Sequence, residues 1–221
     1  MKKNKISKNW VNKQRKDIYV RKSKVDGYRA RSAYKLIEIN EKFKIFKGGM
    51  IVLDIGAAPG SWSQYASKII KNGKIISIDL KEMEEIKGTI QIKGDFTDPN
   101  IQKKIRSYTS KEIDVVMSDM AVNTTGIKNI DSIQTGELCK EAIVFSKEVI
   151  SNNGFFISKI FMGETFNEIV ALAKKIFKEV RVFKPQSSRK ESKENFIICK
   201  NNNCLSSWSH VSRPKYGCRN K

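Results

Sequence analysis

The chain has 221 residues, with 43 Lys and Arg against 23 Asp and Glu, for a formal net charge of +20. That length suits one α/β domain with extensions, and no apolar run approaches the ~18 residues that span a bilayer, so no membrane span is expected. The charge implies a polyanionic partner: RNA, DNA or an anionic membrane surface.

The first residues, Met-Lys-Lys-Asn-Lys-Ile-Ser-Lys, have no apolar segment behind them. A secretory leader is therefore not expected, and the cytoplasm is the expected location. Residues 1–50 hold 16 basic and 4 acidic side chains, so 16 − 4 = +12 sits in under a quarter of the chain. The first eight read as solvated tail. Over 9–35, Trp10, Tyr19 and Tyr28 are interleaved with the charge, as on a nucleic-acid surface.

Residues 31–44 predict a helix, with Ala33, Leu36, Ile37 and Phe43 on one face and Ser32 as cap. Gly48-Gly49 precedes an apolar strand that ends in an acid, Met50-Ile-Val-Leu-Asp54. A glycine loop, Gly56-x-x-x-Gly60, follows, and a helix over 61–70 that stops at Asn72-Gly73. The loop lacks the G-x-G-x-x-G dinucleotide spacing and points instead to an S-adenosylmethionine (SAM) site. The plainer alternative is an ordinary strand–helix turn.

Further strands are read at Lys74–Asp79, Ile90–Lys93, Ile113–Asp119, Phe155–Ile160, Val180–Phe183 and Asn195–Cys199. Helices are read at 98–108, Glu137–Ile150 and Thr165–Phe177, the last capped by Thr165. Asn153-Gly154 reads as the stop between helix and strand. Alternating strands and helices predict a mostly parallel, doubly wound sheet, its last two strands forming an antiparallel edge. The expected layout is a basic extension over 1–30, one domain over 31–201 and a polar tail over 202–221.

Asp54, Asp79 and Asp119 end strands, and Asp95 follows another, so all four are expected on the carboxyl edge where ligands bind. Asp79 lies 19 residues beyond Gly60, the placement of an acid that holds a ribose. Cys139, Cys199, Cys204 and Cys218 form no C-x-x-C pair, so no metal site is expected. His210 is the only histidine, which disfavours most His-based acid–base chemistry.

Taken together, Arg29-Ala-Arg-Ser-Ala-Tyr-Lys-Leu36, Asp54-Ile-Gly-Ala-Ala-Pro-Gly-Ser-Trp-Ser-Gln64, Gly94-Asp-Phe96, Met117-Ser-Asp-Met-Ala121, Ser158-Lys-Ile-Phe-Met-Gly163 and Lys184-Pro-Gln-Ser-Ser-Arg-Lys-Glu-Ser-Lys-Glu194 resemble the FtsJ/RrmJ (RlmE) family of rRNA 2′-O-ribose methyltransferases. The resemblance runs from about Ser7 to about Lys200. It implies a Rossmann-like SAM-dependent methyltransferase fold; a monomer is expected, though no residue pattern sets the oligomeric state. It also implies methylation of a uridine of large-subunit rRNA, within the large ribosomal subunit late in its assembly. The family's K-D-K-E tetrad falls on Lys35, Asp119, Lys159 and Glu194, and its SAM contacts on Gly56, Gly60, Trp62, Asp79, Asp95 and Asp119. Ser61 stands where the family has a second glycine, and Val122 where bacterial members often have Pro.

The tetrad also suits the chemistry. A ribose 2′-hydroxyl is a poor acid, and needs a base or a nearby cation as its alkoxide develops. Lys159, at the cofactor end of the fifth strand, is the candidate for both roles, with Asp119 and Glu194 balancing the two lysines. A snorkelling strand-end lysine is the plainer reading of Lys159. Two other functions compete. A base or side-chain methyltransferase lacks its usual Asn/Asp-Pro-Pro-Tyr/Phe signature here, since Ser118-Asp119-Met120-Ala121 stands in that place. A non-catalytic RNA-binding assembly factor with a relic fold would not need an intact tetrad.

Overall fold

The computed structural model describes residues 17–121 and 128–201. The N-terminal tail, Val122 and the segment after 201, with Cys204, His210 and Cys218, lie outside the described residues. Among the described residues are six helices: α1 (Ile18–Val25), α2 (Ala33–Phe43), α3 (Ser61–Ile69), α4 (Pro99–Ser107), α5 (Lys128–Val149) and α6 (Phe166–Ile176). Seven strands, β1 (Ile51–Ile55), β2 (Lys74–Asp79), β3 (Thr89–Lys93), β4 (Ile113–Ser118), β5 (Ile150–Phe161), β6 (Glu179–Phe183) and β7 (Glu194–Lys200), form one sheet in the order β3-β2-β1-β4-β5-β7-β6.

The inner strands are rich in Ile and Val and are buried on both faces, as a parallel sheet covered by helices requires, whereas the edge strands β3 and β6 are only partly buried. On one face Leu53, Ile76, Val116, Phe156 and Ile197 pack with Ala142 and Ile143 of α5 and Ile169 of α6. On the other, Val52, Ile75, Met117, Ile157 and Phe196 pack with Leu36 and Ile39 of α2 and Trp62 of α3. The doubly wound expectation holds, and β1 to β5 are parallel. The antiparallel strand is β7, inserted between β5 and the edge strand β6.

Two features differ from the sequence reading. The helix read at Glu137–Ile150 is Lys128–Val149, and Asn153-Gly154 does not separate it from the strand: β5 begins at Ile150, so Gly154 lies within β5. A Cβ there would come within 3.0 Å of the Asp114 and Ser151 carbonyls, so this glycine marks close backbone approach rather than a turn. Helix α1 was not foreseen; Asp17 caps it by accepting from Tyr19 N–H at 3.0 Å. Tyr19 and Tyr28 flank the ring of Tyr34 on α2, at 5.4 and 5.9 Å between centroids. Ser32 and Thr165 stand at their helix starts but make no side-chain cap bond.

Strand order reverses between β1 and β4. The crevice at their carboxyl ends is where α/β sheets of this kind take ligands.

Candidate active site

The loop after β1 turns on Gly56 (φ 74°) and Gly60 (φ 102°), both in the left-handed region that favours glycine. A Cβ on Gly56 would meet Met120 at 2.7 Å, and one on Gly60 would meet Ile86 at 2.7 Å and Arg29 Nη1 at 2.9 Å. Backbone and neighbours thus approach more closely than any other residue would allow. Helix α3 starts directly after Gly60, and its first N–H groups lack intrahelical partners. The side chain of Trp62 faces the interior. It is 2% exposed, donates its indole N–H to Ser32 O at 2.9 Å and lies against Phe196. What Trp62 offers the loop is therefore its backbone N–H.

The four acids stand at the carboxyl edge but differ in kind. Asp79 accepts from Ala58 N–H at 2.9 Å and from Lys81 N–H at 2.8 Å, which fixes its carboxylate beside the glycine loop. Asp95 is exposed and accepts from Thr97 N–H and Oγ1. Asp54 lies beneath the loop, 1% exposed. Its Oδ2 accepts from Ser63 Oγ at 2.6 Å, Ser63 and Ser77 hydroxyls are 2.6 Å apart, and its Oδ1 has no partner among the described residues. Burial drives this carboxyl up to about 7 against the Ser63 hydrogen bonds, and the charges of Asp119 and Asp79 push the same way.

The expected tetrad is assembled as two ion pairs. Lys159 Nζ donates to Asp119 Oδ1 at 2.9 Å and to Asp119 O at 2.7 Å. Lys35 Nζ donates to Glu194 Oε2 at 2.6 Å. Four elements contribute: α2, the end of β4, β5 and the start of β7. Antiparallel pairing sets Lys159 opposite Phe196 and Phe161 opposite Glu194, and Lys35 Nζ sits 5.6 Å from the Phe196 ring centroid. Burial would raise the Asp119 carboxyl, but the charges of Lys159 and Lys35, with the Lys159 hydrogen bond, hold it below its usual value.

Several functional contacts were not foreseen. Ser188 Oγ donates to Glu194 Oε1 at 2.8 Å, so both carboxylate oxygens are held. Glu38 accepts from the backbone N–H groups of Gln186 and Ser187, fastening that loop to α2. Arg31 bridges Asp17 and the Ser187 carbonyl, and Arg29 donates to the carbonyls of Pro59, Glu84 and Glu85. Arg29 and Arg31 belong to the stretch 9–35 read as a nucleic-acid surface, but their guanidinium groups are committed within the protein. Composition marks an arginine as basic but not which acceptor it meets.

The profile of the FtsJ-like methyltransferase family matches residues 28–202. The chain belongs to that family. SAM is accordingly its methyl donor, and the FtsJ-like domain covers the whole sheet. The chain is 70% identical over 200 residues to ribosomal RNA large subunit methyltransferase E of Pelagibacter ubique (strain HTCC1062), covering 90% of this chain and 98% of that one. Its counterpart of the same name in Rickettsia akari (strain Hartford) is 48% identical over 201 residues, 88% of each chain. A solved structure described as a ribosomal RNA methyltransferase of Plasmodium falciparum superposes with a TM-score of 0.71 at 34% identity, over 79% of this chain and 98% of that one. Among the described residues no helix is long and apolar enough to cross a membrane.

The folded chain keeps on Asp54 a proton that the unfolded chain releases near pH 4. Folding stability therefore falls as pH rises from about 4 to about 7, and is level above that. Asn at position 54 cannot titrate. Relative to Asp54→Asn, the parent protein should lose about 2 kcal/mol between pH 5 and pH 8. Urea unfolding of both proteins at the two pH values measures this, and an equal stability gap at both would contradict it.

Proposed function

We propose that this FtsJ-like enzyme transfers the methyl group of SAM to the 2′-hydroxyl of a uridine in large-subunit rRNA, in the large ribosomal subunit late in assembly. Its relatives named ribosomal RNA large subunit methyltransferase support the rRNA substrate. The observation that carries the 2′-O assignment is the Lys159–Asp119 and Lys35–Glu194 pairing at the carboxyl edge. Two held ammonium groups suit a hydroxyl that must become an alkoxide.

SAM fits the crevice. Its adenosyl and methionine parts need close backbone approach, a fixed acid for the ribose hydroxyls, and acceptors for a cation. Gly56 and Gly60 leave that room. Asp79 would hold the ribose, Asp95 would lie towards the adenine, and Asp119 with the first-turn N–H of Trp62 would hold the methionine end. SAM supplies an electrophilic methyl group on a sulfonium, and the protein has to align the nucleophile and manage its proton.

In that mechanism Lys159 is the catalytic residue. Two of its three N–H bonds go to Asp119, which leaves one position for the ribose oxygen. Asp119 sets the direction of Lys159. Lys35, held by Glu194 and through it by Ser188, adds the second positive charge.

The test of function is immature large subunits incubated with tritiated SAM, followed by alkaline hydrolysis of the rRNA. A 2′-O-methyl group blocks cleavage at its own position, so label should appear in an alkali-resistant dinucleotide. Label released entirely as mononucleotides would indicate base methylation and overturn the assignment.

With Arg29 and Arg31 committed, the basic surface left on α1 is Arg21, Lys22 and Lys24, all exposed. Each phosphate contact contributes about 0.7–0.9 to the slope of log affinity against log salt. Neutralising the three should lower the slope for rRNA by up to about 2–3. An unchanged slope would make α1 solvated surface only.

A further inference from the structure

Arg29 lies before α2, far in sequence from the two loops its side chain meets. Nη1 donates to Pro59 O at 3.1 Å and to Glu84 O at 2.7 Å, and Nη2 donates to Glu85 O at 2.8 Å. The first acceptor belongs to the glycine loop after β1. The other two belong to residues 80–88, the loop that leaves β2 directly after Asp79. That second loop leans over Gly60, where Ile86 and Met83 would meet an added Cβ at 2.7 and 3.4 Å. Two polar bridges therefore join residues 57–60 to residues 80–88: the Asp79 carboxylate, which accepts from Ala58 N–H and Lys81 N–H, and the Arg29 guanidinium, which alone reaches the far part of the second loop at Glu84 and Glu85.

The seat of Arg29 is itself fixed. Its backbone N–H donates to Gln64 Oε1 at 3.1 Å, and Gln64 Nε2 donates to Gly27 O at 2.7 Å. Helix α3, the glycine loop and the 80–88 loop therefore meet at one residue, the first through its backbone N–H and the two loops through a side chain that is 19% exposed. The absence of a Cβ on Gly60 is what lets the guanidinium come so near. Only a planar, five-donor group reaches three carbonyls in this way; a lysine ammonium is a compact point charge on a flexible stem.

We infer that Arg29 is a positioning residue for SAM: it holds the glycine loop and the 80–88 loop at the separation that the adenosyl group requires. The inference rests on the reading of this crevice as the SAM site. Arg29 touches no reacting atom, so its loss acts on cofactor affinity and leaves the methyl-transfer step alone. The signature is a raised KM for SAM with kcat nearly unchanged, a split that general loosening of the fold would not give.

The experiment uses the full chain and S-adenosylhomocysteine (SAH) as probe, by calorimetry, with Arg29→Ala, Arg29→Lys and Gln64→Leu. Wild-type protein should bind SAH and Asp79→Ala should bind it poorly; if wild-type protein does not bind, the SAM-site reading fails, not the role of Arg29. Arg29→Lys should weaken SAH binding about tenfold or more, roughly the loss of one charge-assisted hydrogen bond. At saturating SAM its kcat should stay within about threefold. Gln64→Leu, which leaves the guanidinium in place but removes its seat, should weaken SAH binding to a smaller degree. Amide hydrogen exchange at residues 84–86 should quicken in Arg29→Lys. Unchanged SAH affinity in folded Arg29→Lys overturns the inference. A fall of about one in the rRNA salt slope with SAH affinity intact would overturn it too, and make Arg29 a phosphate contact. Should Arg29→Ala not fold, Arg29→Lys and Gln64→Leu decide the matter, and normal SAH affinity in both counts against it.

Discussion

An ammonium group in the interior of a sheet is tolerable only if something compensates its lost hydration. Lys159 is 7% exposed and sits on β5, one of the central strands. The structure around it supplies that compensation. Asp119 provides both a carboxylate and a carbonyl oxygen. Lys35, next to it on α2, needs a carboxylate of its own, and β7 delivers Glu194 by running antiparallel to β5. A parallel strand at that place would put its first residue at the opposite edge of the sheet. The single reversal of direction in an otherwise parallel sheet is thus tied to the site's charge balance.

The same demand reaches further out. Glu194 is fixed by Ser188, whose loop is fastened by Glu38 of α2 and by Arg31. Arg31 is in turn paired with Asp17 at the cap of α1. Arg189 of the Ser188 loop lies 3.6 Å from the same carboxylate. The segment before α2 is therefore part of the site's support, since Asp17 at the cap of α1 is tied through Arg31 to the loop that holds Glu194. A second line of support runs through Arg29 to the cofactor loops. One short stretch, residues 29–35, thus reaches the glycine loop, the Ser188 loop and Glu194 at once.

Much of this was legible in the sequence, because it follows from short-range pattern. The apolar strands with acids at their ends place Asp54, Asp79 and Asp119 at one edge, and parallel topology does the rest. Membership of the tetrad came from the resemblance, since a strand-end lysine alone is ambiguous between snorkelling and catalysis. What stayed hidden depends on contacts remote in sequence. Arg31 meets a carbonyl 156 residues away, and nothing local distinguishes it from a phosphate-binding arginine. Gly154 has the sequence context of a turn, but the closeness of Asp114 makes it part of a strand. Asp54 resembles its neighbouring acids in sequence, and only its burial and the Ser63–Ser77 hydroxyl pair set it apart.

The central claim is that the paired lysines exist to handle the proton and the charge of a ribose hydroxyl, with Lys159 in the base role. The most direct measurement is single-turnover methylation of large subunits at saturating SAM by Lys159→Ala and Lys159→Arg. Loss of a general base costs about 10²–10⁴-fold. Arginine keeps the charge but does not give up its proton at working pH. Both variants should therefore fold, bind SAH and fall by about that factor. A near-normal rate for Lys159→Arg would remove the base role and leave only the charge, and a near-normal rate for Lys159→Ala would contradict the account as a whole.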